Sequence, residues 1–392
     1  MHAILILGLA VALLASSAAP QRIEFRAKDL KECEQSKDNP GQAIESCSRL
    51  ISQFGRSAVA TQPGKADEVL VSAYFHRAAA YLQRGDFNFA IQDYDQAIRL
   101  NPQYAAAYHN RGIIHARNGE YERAVQDYDE AIRLDPNDAG AFINRGVVYQ
   151  DKRQYEPAIA DYSQAIRIDP KNPYGFMNRG NTYEEIGQYD LALLDHDQAV
   201  RLKPNEAKTF MNRGNVYRDK RQYDRAVQDY DQAVRLKPNY VNAFINRGIA
   251  RFMQGQFAAA VPDFTRAREL SPDYMLPAVW LFVASSRVGR DAVDPGMKEM
   301  KNADLKKWPG PIVSFYAGTL AAEALLEAAA NSDAETQRYQ LCQAYFFLGE
   351  YQLLRGLKKE AADEFKLVQT TCQPPFAVFH SVAKVELERL AP

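Results

Sequence analysis

The sequence predicts an all-α fold of stacked helical hairpins, and three periodic features predict it. Proline recurs every 34 residues through the middle of the chain, at positions 102, 136, 170, 204, 238 and 272. Glycine recurs at the same interval, at Gly112, Gly146, Gly180, Gly214 and Gly248. Alanine fills two further positions of every unit. A helical unit repeated in register cannot bury its own apolar face, so we expect neighbouring units to stack.

Each unit reads as two helices. We number the units so that the glycine is position 8 and the proline is position 32, which places six units between Val71 and Tyr274. Positions 4, 8 and 11 share one helical face and positions 20, 24 and 27 share another. Because positions 8, 20 and 27 are small, the two helices can approach closely. The proline then stops the second helix.

Aromatic residues at positions 4 and 17, the glycine, the alanines and the proline together resemble the tetratricopeptide repeat family. The resemblance implies a superhelical solenoid of antiparallel hairpins whose first helices line a concave groove. Position 7 departs from the family, because arginine stands where leucine is usual. We expect these arginines to pair with the aspartates at position 23. The two sets are Arg77, Arg111, Arg145, Arg179, Arg213 and Arg247, and Asp93, Asp127, Asp161, Asp195, Asp229 and Asp263.

The amino end predicts export. Residues 3–15 are apolar and small residues follow, as in a secretory signal that we assign to residues 1–19. The run is shorter than the roughly 20 residues that cross a bilayer. Residues 20–60 read as a degenerate helical hairpin, with Ala43, Cys47 and Leu50 at the spacing of positions 20, 24 and 27.

The four cysteines predict two disulfides in an oxidising compartment. Three pairings are open to four cysteines. We favour Cys33 with Cys47 and Cys342 with Cys372, because each pair falls on the two arms of one predicted hairpin. A metal site is the competing interpretation, but no CxxC spacing or neighbouring histidine favours it. We therefore expect no metal.

Residues 275–392 predict an irregular helical region that contains one further repeat-like unit at 342–375. This region resembles the NlpI family of bacterial lipoproteins. The matching residues are Trp308, Pro309, Ile312, Val313, Phe315, Tyr316, Gly318, Tyr345, Phe347, Leu348, Gly349, Tyr351, Leu353, Gly356, Ala361, Phe365, Lys366, His380, Ala383, Glu386 and Leu387.

The NlpI resemblance implies a homodimeric periplasmic adaptor that docks a carboxyl-terminal processing protease and brings it peptidoglycan enzymes. One departure concerns the lipid, which that family carries on a cysteine directly after the signal. The first cysteine here is Cys33, inside a predicted hairpin, so we expect a periplasmic protein without a lipid anchor. A general envelope scaffold unrelated to proteolysis is the alternative.

Charge and motifs argue against other classes of function. The formal net charge is −1, which gives no electrostatic reason to bind nucleic acid. No nucleotide-binding loop, zinc motif or nucleophile elbow is present, so we expect no cofactor and no catalytic residue. A glycan-processing or transferase enzyme would need a catalytic domain, and no segment outside the helical arrays is long enough to hold one.

The candidate binding residues lie on the first helices. Position 6 holds Asn110, Asn144, Asn178, Asn212 and Asn246, and position 9 adds Asn181 and Asn215. An amide both donates and accepts, so such a ladder can bind the backbone of an extended peptide. Packing within the hairpins is an equally open interpretation. Position 5 predicts apolar contacts to a peptide from Ile143, Met177, Met211 and Ile245, between charged rims at Glu184, Glu185, Arg218, Asp219 and Asp151.

Overall fold

The computed structural model describes residues 28–34, 39–57, 63–289, 304–330, 333–372 and 377–391. The predicted signal at residues 1–19 lies outside them. Within these ranges all regular secondary structure is helical, and residues 28–34 already form helix. The chain divides into two compact units, Met1–Pro170 and Lys171–Pro392. No helix of the described ranges is long and apolar enough to cross a membrane.

The first unit is a series of antiparallel hairpins. Its helices are α1 (Pro40–Ser57), α2 (Pro63–Arg84), α3 (Phe87–Leu100), α4 (Ala105–Arg117), α5 (Tyr121–Leu134), α6 (Ala139–Asp151) and α7 (Tyr155–Ile168). Helices α2/α3, α4/α5 and α6/α7 form the first three repeated hairpins, and each hairpin packs on the next.

The second unit continues the series and ends in less regular helices. Its hairpins are α8 (Pro173–Glu185) with α9 (Tyr189–Leu202), α10 (Ala207–Asp219) with α11 (Tyr223–Leu236), and α12 (Val241–Met253) with α13 (Phe257–Leu270). The remaining helices are α14 (Leu276–Arg287), α15 (Gly310–Tyr316), α16 (Ala322–Ala328), α17 (Ala334–Leu354), α18 (Lys358–Thr371) and α19 (Ala377–Leu390).

The helix bounds keep one register through the repeats. From the second hairpin on, the first helix covers positions 1–13, and every second helix covers positions 17–30. Between the two helices, position 15 takes a positive φ, held by glycine in four hairpins and by Arg153 (57°) and Arg221 (59°) in the other two. The second helix ends two residues before the proline, because proline cannot continue a helix and restricts the residue before it.

In the second to sixth hairpins the position-8 glycine meets the aromatic ring at position 24, whereas the first hairpin has the buried Ala78 at position 8. A Cβ placed on Gly146 would lie 2.7 Å from the Tyr162 ring, and one on Gly248 would lie 2.7 Å from the Phe264 ring. Real Cβ contacts are not that short, so a side chain at either of these glycines would force the ring or the helix to shift. The position-24 ring and its flanking alanines are fully buried in these hairpins.

The predicted arginine–aspartate pairs are confirmed in all six hairpins. In the third, Arg145 donates two hydrogen bonds to Asp161, at 2.8 and 2.7 Å, in the bidentate geometry that favours arginine. Its Nη1 atom donates to Asp129 of the preceding hairpin at 2.5 Å. Arg213 repeats the arrangement in the second unit, with Asp229 and with Asp197. One arginine therefore closes its own hairpin and ties it to its neighbour.

The flanking regions agree with the sequence in their cross-links. Cys33 is bonded to Cys47 and Cys342 to Cys372, the pairing that the sequence favours. Two boundaries differ from those of the predicted units. Helix α2 begins at Pro63 rather than at residue 71, and α17 begins at Ala334 rather than at residue 342. After the first turn of each helix, no proline or glycine precedes the predicted start, so nothing in the sequence interrupts the helix there.

Candidate functional site

A row of asparagines crosses the first helices of the second unit, and we call it the amide row. It consists of Asn178 and Asn181 on α8, Asn212 and Asn215 on α10, and Asn246 on α12. The Asn212 amide donates to Asn181 Oδ1 at 2.9 Å, and the Asn246 amide donates to Asn215 Oδ1 at 3.0 Å. Position 6 of one hairpin is thus bonded to position 9 of the preceding one.

The amides of this row have fixed orientations. The Tyr230 hydroxyl also donates to Asn215 Oδ1, at 2.9 Å. Asn212 is buried, whereas Asn178, Asn181, Asn215 and Asn246 are half-buried. Each bond uses only part of the amide's two donors and its acceptor. The row therefore contributes to packing between hairpins and still presents amide groups at the surface.

In the first unit the predicted asparagines do not form such a row. Asn144 Nδ2 lies 2.9 Å from His109 Nε2, and His109 Nδ1 lies 2.7 Å from Asp138, the residue that caps α6. Asn110 is half-buried beside the Tyr94 hydroxyl. Position 9 is apolar in these hairpins, so position 6 has no amide to pair with.

The position-5 prediction is wrong for three of its four residues. Ile143, Met177 and Ile245 are buried, with exposed fractions of 8%, 2% and 6%. Ile143 packs in the same cluster as Ala158 and Tyr162 of its own hairpin. Met211 is half-buried and packs against apolar residues of two neighbouring clusters. Position 5 faces the partner helices, so its side chains stabilise the stack rather than line a groove.

Two of the predicted rim charges are also buried. Arg218 is 7% exposed and donates to the Asp219 carboxylate at 2.9 Å. Glu184 stands close by, and burial together with the Asp219 charge raises its pKa to about 8. Glu185 is half-buried and Asp151 is exposed. Arg218 and Asp219 therefore form an internal ion pair at the end of α10 and not an exposed rim.

The carboxyl-terminal helix is a feature that sequence patterns missed. Helix α19 packs against α10, α17 and α18. Arg389 donates to the carbonyls of Phe252 and Met253 at the end of α12, at 2.9 and 2.8 Å, where a cation also complements the helix dipole. Glu388 accepts from Arg221 at 2.8 Å. The packing position of α19 is visible only in these contacts between residues far apart in the sequence, since α19 has no repeat pattern of its own.

The described ranges contain no group of three or more histidine, cysteine, aspartate or glutamate side chains placed to hold a metal ion.

A family profile described as "TPR repeat" matches residues 78–119, 114–153, 151–187 and 214–255. A second, described as "Tetratricopeptide repeat", matches residues 174–206. The chain is an all-α tetratricopeptide repeat solenoid. Arrays of such repeats form extended concave surfaces that bind proteins or peptides.

Solved structures include similar tetratricopeptide repeat proteins. YrrB, described as having an unusual peptide-binding site, is 27% identical over 47% of this chain and 95% of its own, with a TM-score of 0.40. PilF of Pseudomonas aeruginosa is 19% identical over 53% and 95%, with a TM-score of 0.48. A tetratricopeptide repeat protein of Parabacteroides merdae is 16% identical over 81% and 99%, with a TM-score of 0.47. No curated protein matches the chain.

Proposed function

We propose that this protein is a non-catalytic adaptor of the bacterial envelope that binds an extended protein segment along the amide row. The observation that carries the proposal is the pair of asparagine–asparagine bonds at 2.9 and 3.0 Å, which hold neighbouring amides in a fixed order across α8, α10 and α12. An ordered amide loses little side-chain entropy when a ligand binds. Alternating amide donors and acceptors match the backbone of an extended chain without selecting its sequence.

The envelope part of the proposal is supported by the signal-like amino end and by the two disulfides. The NlpI resemblance between Trp308 and Leu387 supports the choice of partners, which are a carboxyl-terminal processing protease and peptidoglycan enzymes. It also supports a homodimer. The second candidate, a general envelope scaffold, shares the amide row and differs only in its partners.

Affinity capture from envelope extract tests the amide row. The variant Asn178→Ala/Asn246→Ala removes amides from α8 and α12, and its matched control, Asn205→Ala/Asn239→Ala, removes two exposed asparagines from the loops between hairpins. We expect wild type and control to retain the same partners and the row variant to lose most of them. Far-ultraviolet circular dichroism checks that both variants are folded. Equal capture by all three proteins would refute binding at the row.

Purified protease distinguishes the two candidate functions. Size-exclusion chromatography of the protein mixed with a carboxyl-terminal processing protease should give a joint peak if the protein presents substrates to it. Separate peaks, together with capture of other envelope proteins through the row, would favour the general scaffold.

A further inference from the structure

The fourth hairpin differs from the other five at its centre. Position 24 is tyrosine in four hairpins and Phe264 in the sixth, but it is His196 in the fourth. The imidazole takes the place of the phenol ring against the position-8 glycine, since a Cβ on Gly180 would lie 2.9 Å from its Cε1 atom. His196 is fully buried between α8 and α9.

The polar atoms of His196 are unsatisfied. Neither Nδ1 nor Nε2 has a hydrogen-bond partner among the described residues. In two other hairpins the tyrosine at this position reaches a polar partner with its hydroxyl: Tyr162 donates to Gln150 at 3.0 Å and Tyr230 donates to Asn215 at 2.9 Å, whereas the buried Tyr94 hydroxyl has no hydrogen-bond partner among the described residues. The shorter imidazole does not extend that far. A buried ring nitrogen without a partner is costly in the neutral form and much more so when charged.

The surrounding charges offer the imidazolium no carboxylate of its own. On α9, Asp195 is bound by Arg179 of α8 and Asp197 is bound by Arg213 of α10. Arg213 is also held by Asp229 of α11. Burial first, and then the Arg213 charge, lower the pKa of His196 from 6.5 to about 4, against a smaller opposing effect of Asp197.

We infer that His196 makes the fourth hairpin an acid-sensitive joint, in which protonation of the buried imidazole opens the packing of α8 against α9. When the hairpin opens, the imidazole is exposed to water, where it can bind a proton. Opening also removes Asn178 and Asn181 from the amide row. The opening itself depends only on the hairpin core. The consequence for ligands, which is release of the bound segment at acidic pH, rests on the proposed function.

The pH dependence has a defined sign and window. The folded state binds the proton more weakly than the open state, so stability is complete above pH 6.5 and is lost as the pH falls toward 4. Between pH 7 and pH 5 the equilibrium for opening should rise by about 20-fold.

Amide hydrogen exchange on the full chain tests the joint. Exchange in α8 and α9, corrected for intrinsic rates, should show an opening equilibrium about 20-fold larger at pH 5 than at pH 7 in the wild type. Helices α12 and α13, which carry Phe264 at the same position, serve as the internal control. The variant His196→Phe copies that natural hairpin and should lose the extra pH response. His196→Tyr is the second variant if the phenylalanine protein folds poorly.

Two outcomes would overturn the inference. One is an equal pH response of α8/α9 and α12/α13 in the wild type. The other is an unchanged response in both His196 variants. Partner capture at pH 7 and pH 5 then separates the joint from its functional consequence, since wild type should lose partners at pH 5 while His196→Phe keeps them. Retention of partners by the wild type, despite confirmed opening, would refute the link to the amide row alone.

Discussion

Arg153 and Arg221 occupy turn positions where the repeat otherwise uses glycine. Their φ angles of 57° and 59° lie in the left-handed region, which a residue with a Cβ adopts at a cost of about 1 kcal/mol. Glycine has no such cost, and the turns at Gly119 and Gly187 show the same conformation. Backbone conformation therefore explains why the repeat otherwise uses glycine at this position.

Replacing Arg153 by glycine should raise the free energy of unfolding. We expect a gain of about 0.5–1 kcal/mol, reduced by whatever Arg153 contributes through its side chain. Arg123→Gly, an exposed site in the first turn of α5, is the matched control and should lose about 1 kcal/mol, because glycine weakens a helix and the change also removes the exposed ion pair with Glu120. Urea denaturation of both variants measures the difference. If Arg153→Gly lowers the free energy of unfolding as much as Arg123→Gly does, the contacts of the Arg153 side chain contribute more than the left-handed backbone conformation costs.

At the scale of the element, the hairpin is closed by a charged pair that is largely withdrawn from water. Asp161 is 6% exposed and accepts both bonds from Arg145, so removing the arginine leaves a buried carboxylate without its counter-ion. Removing one partner of a buried ion pair lowers the free energy of unfolding by about 3–5 kcal/mol. This loss is larger than the stability that the intact pair contributes relative to apolar residues of similar volume.

Arg145→Ala should therefore destabilise the protein by roughly 3 kcal/mol, since the arginine is partly exposed and the full buried-pair cost is an upper bound. Asp161→Ala should cost less, because arginine can still reach Asp129 and solvent. The double variant should fall short of the sum of the two, as coupled partners do. Arg133→Ala, which breaks an exposed pair with Glu130, is the control and should cost under about 0.5 kcal/mol. Additive single and double losses would mean that the two residues act independently.

The elements also show why sequence predicts some features and not others. The 34-residue period fixes each hairpin's register, so the glycine–ring contact and the arginine–aspartate pairs follow from spacing alone. Whether the position-5 side chain faces the groove or the neighbouring helices depends on the rotation between successive hairpins, and at Met177 the side chain is buried. The burial of Arg218 and the docking of α19 on α10 join residues far apart in the chain, and no local pattern encodes them.

The carboxyl-terminal helices are linked by a buried charge cluster. Glu386 accepts from Arg287 at 2.8 Å and also pairs with Arg389. Glu350 on α17 is fully buried, and among the described residues neither of its oxygens has a hydrogen-bond partner, with Arg287 3.7 Å away. Burial and the Glu386 charge therefore raise the pKa of Glu350 from 4.5 to about 8.

Glu350→Gln should stabilise the protein at neutral pH and not at acidic pH. A carboxyl whose folded pKa is raised favours folding fully below pH 4.5, and this contribution is lost as the pH rises toward 8. The glutamine variant should gain about 3 kcal/mol at pH 7 and close to nothing at pH 4.5. Urea denaturation at both pH values measures it, with exposed Glu327→Gln as the control. An equal effect at the two pH values would exclude titration of Glu350 as the cause.

At the scale of the whole molecule, the two disulfides stand near the ends of the chain, one in each compact unit. Cross-links that close sequence separations of 14 and 30 residues contribute about 3–4 kcal/mol each in the chain-entropy account. Each cross-link therefore stabilises the hairpin that it closes.

The two disulfides need an oxidising compartment, so the stability of the fold depends on export. Thiol trapping in cells tests this dependence. If residues 1–19 export the chain, its four cysteines should resist alkylation in intact cells and become reactive only after reduction. A version without residues 1–19 should stay in the reducing cytosol, react at all four cysteines and be degraded faster, since its end hairpins lack their cross-links. Serine at Cys33 and Cys47 in the exported protein is the control, because it separates loss of the cross-link from loss of export. Four alkylated cysteines in the full-length protein would contradict both the export signal and the disulfides.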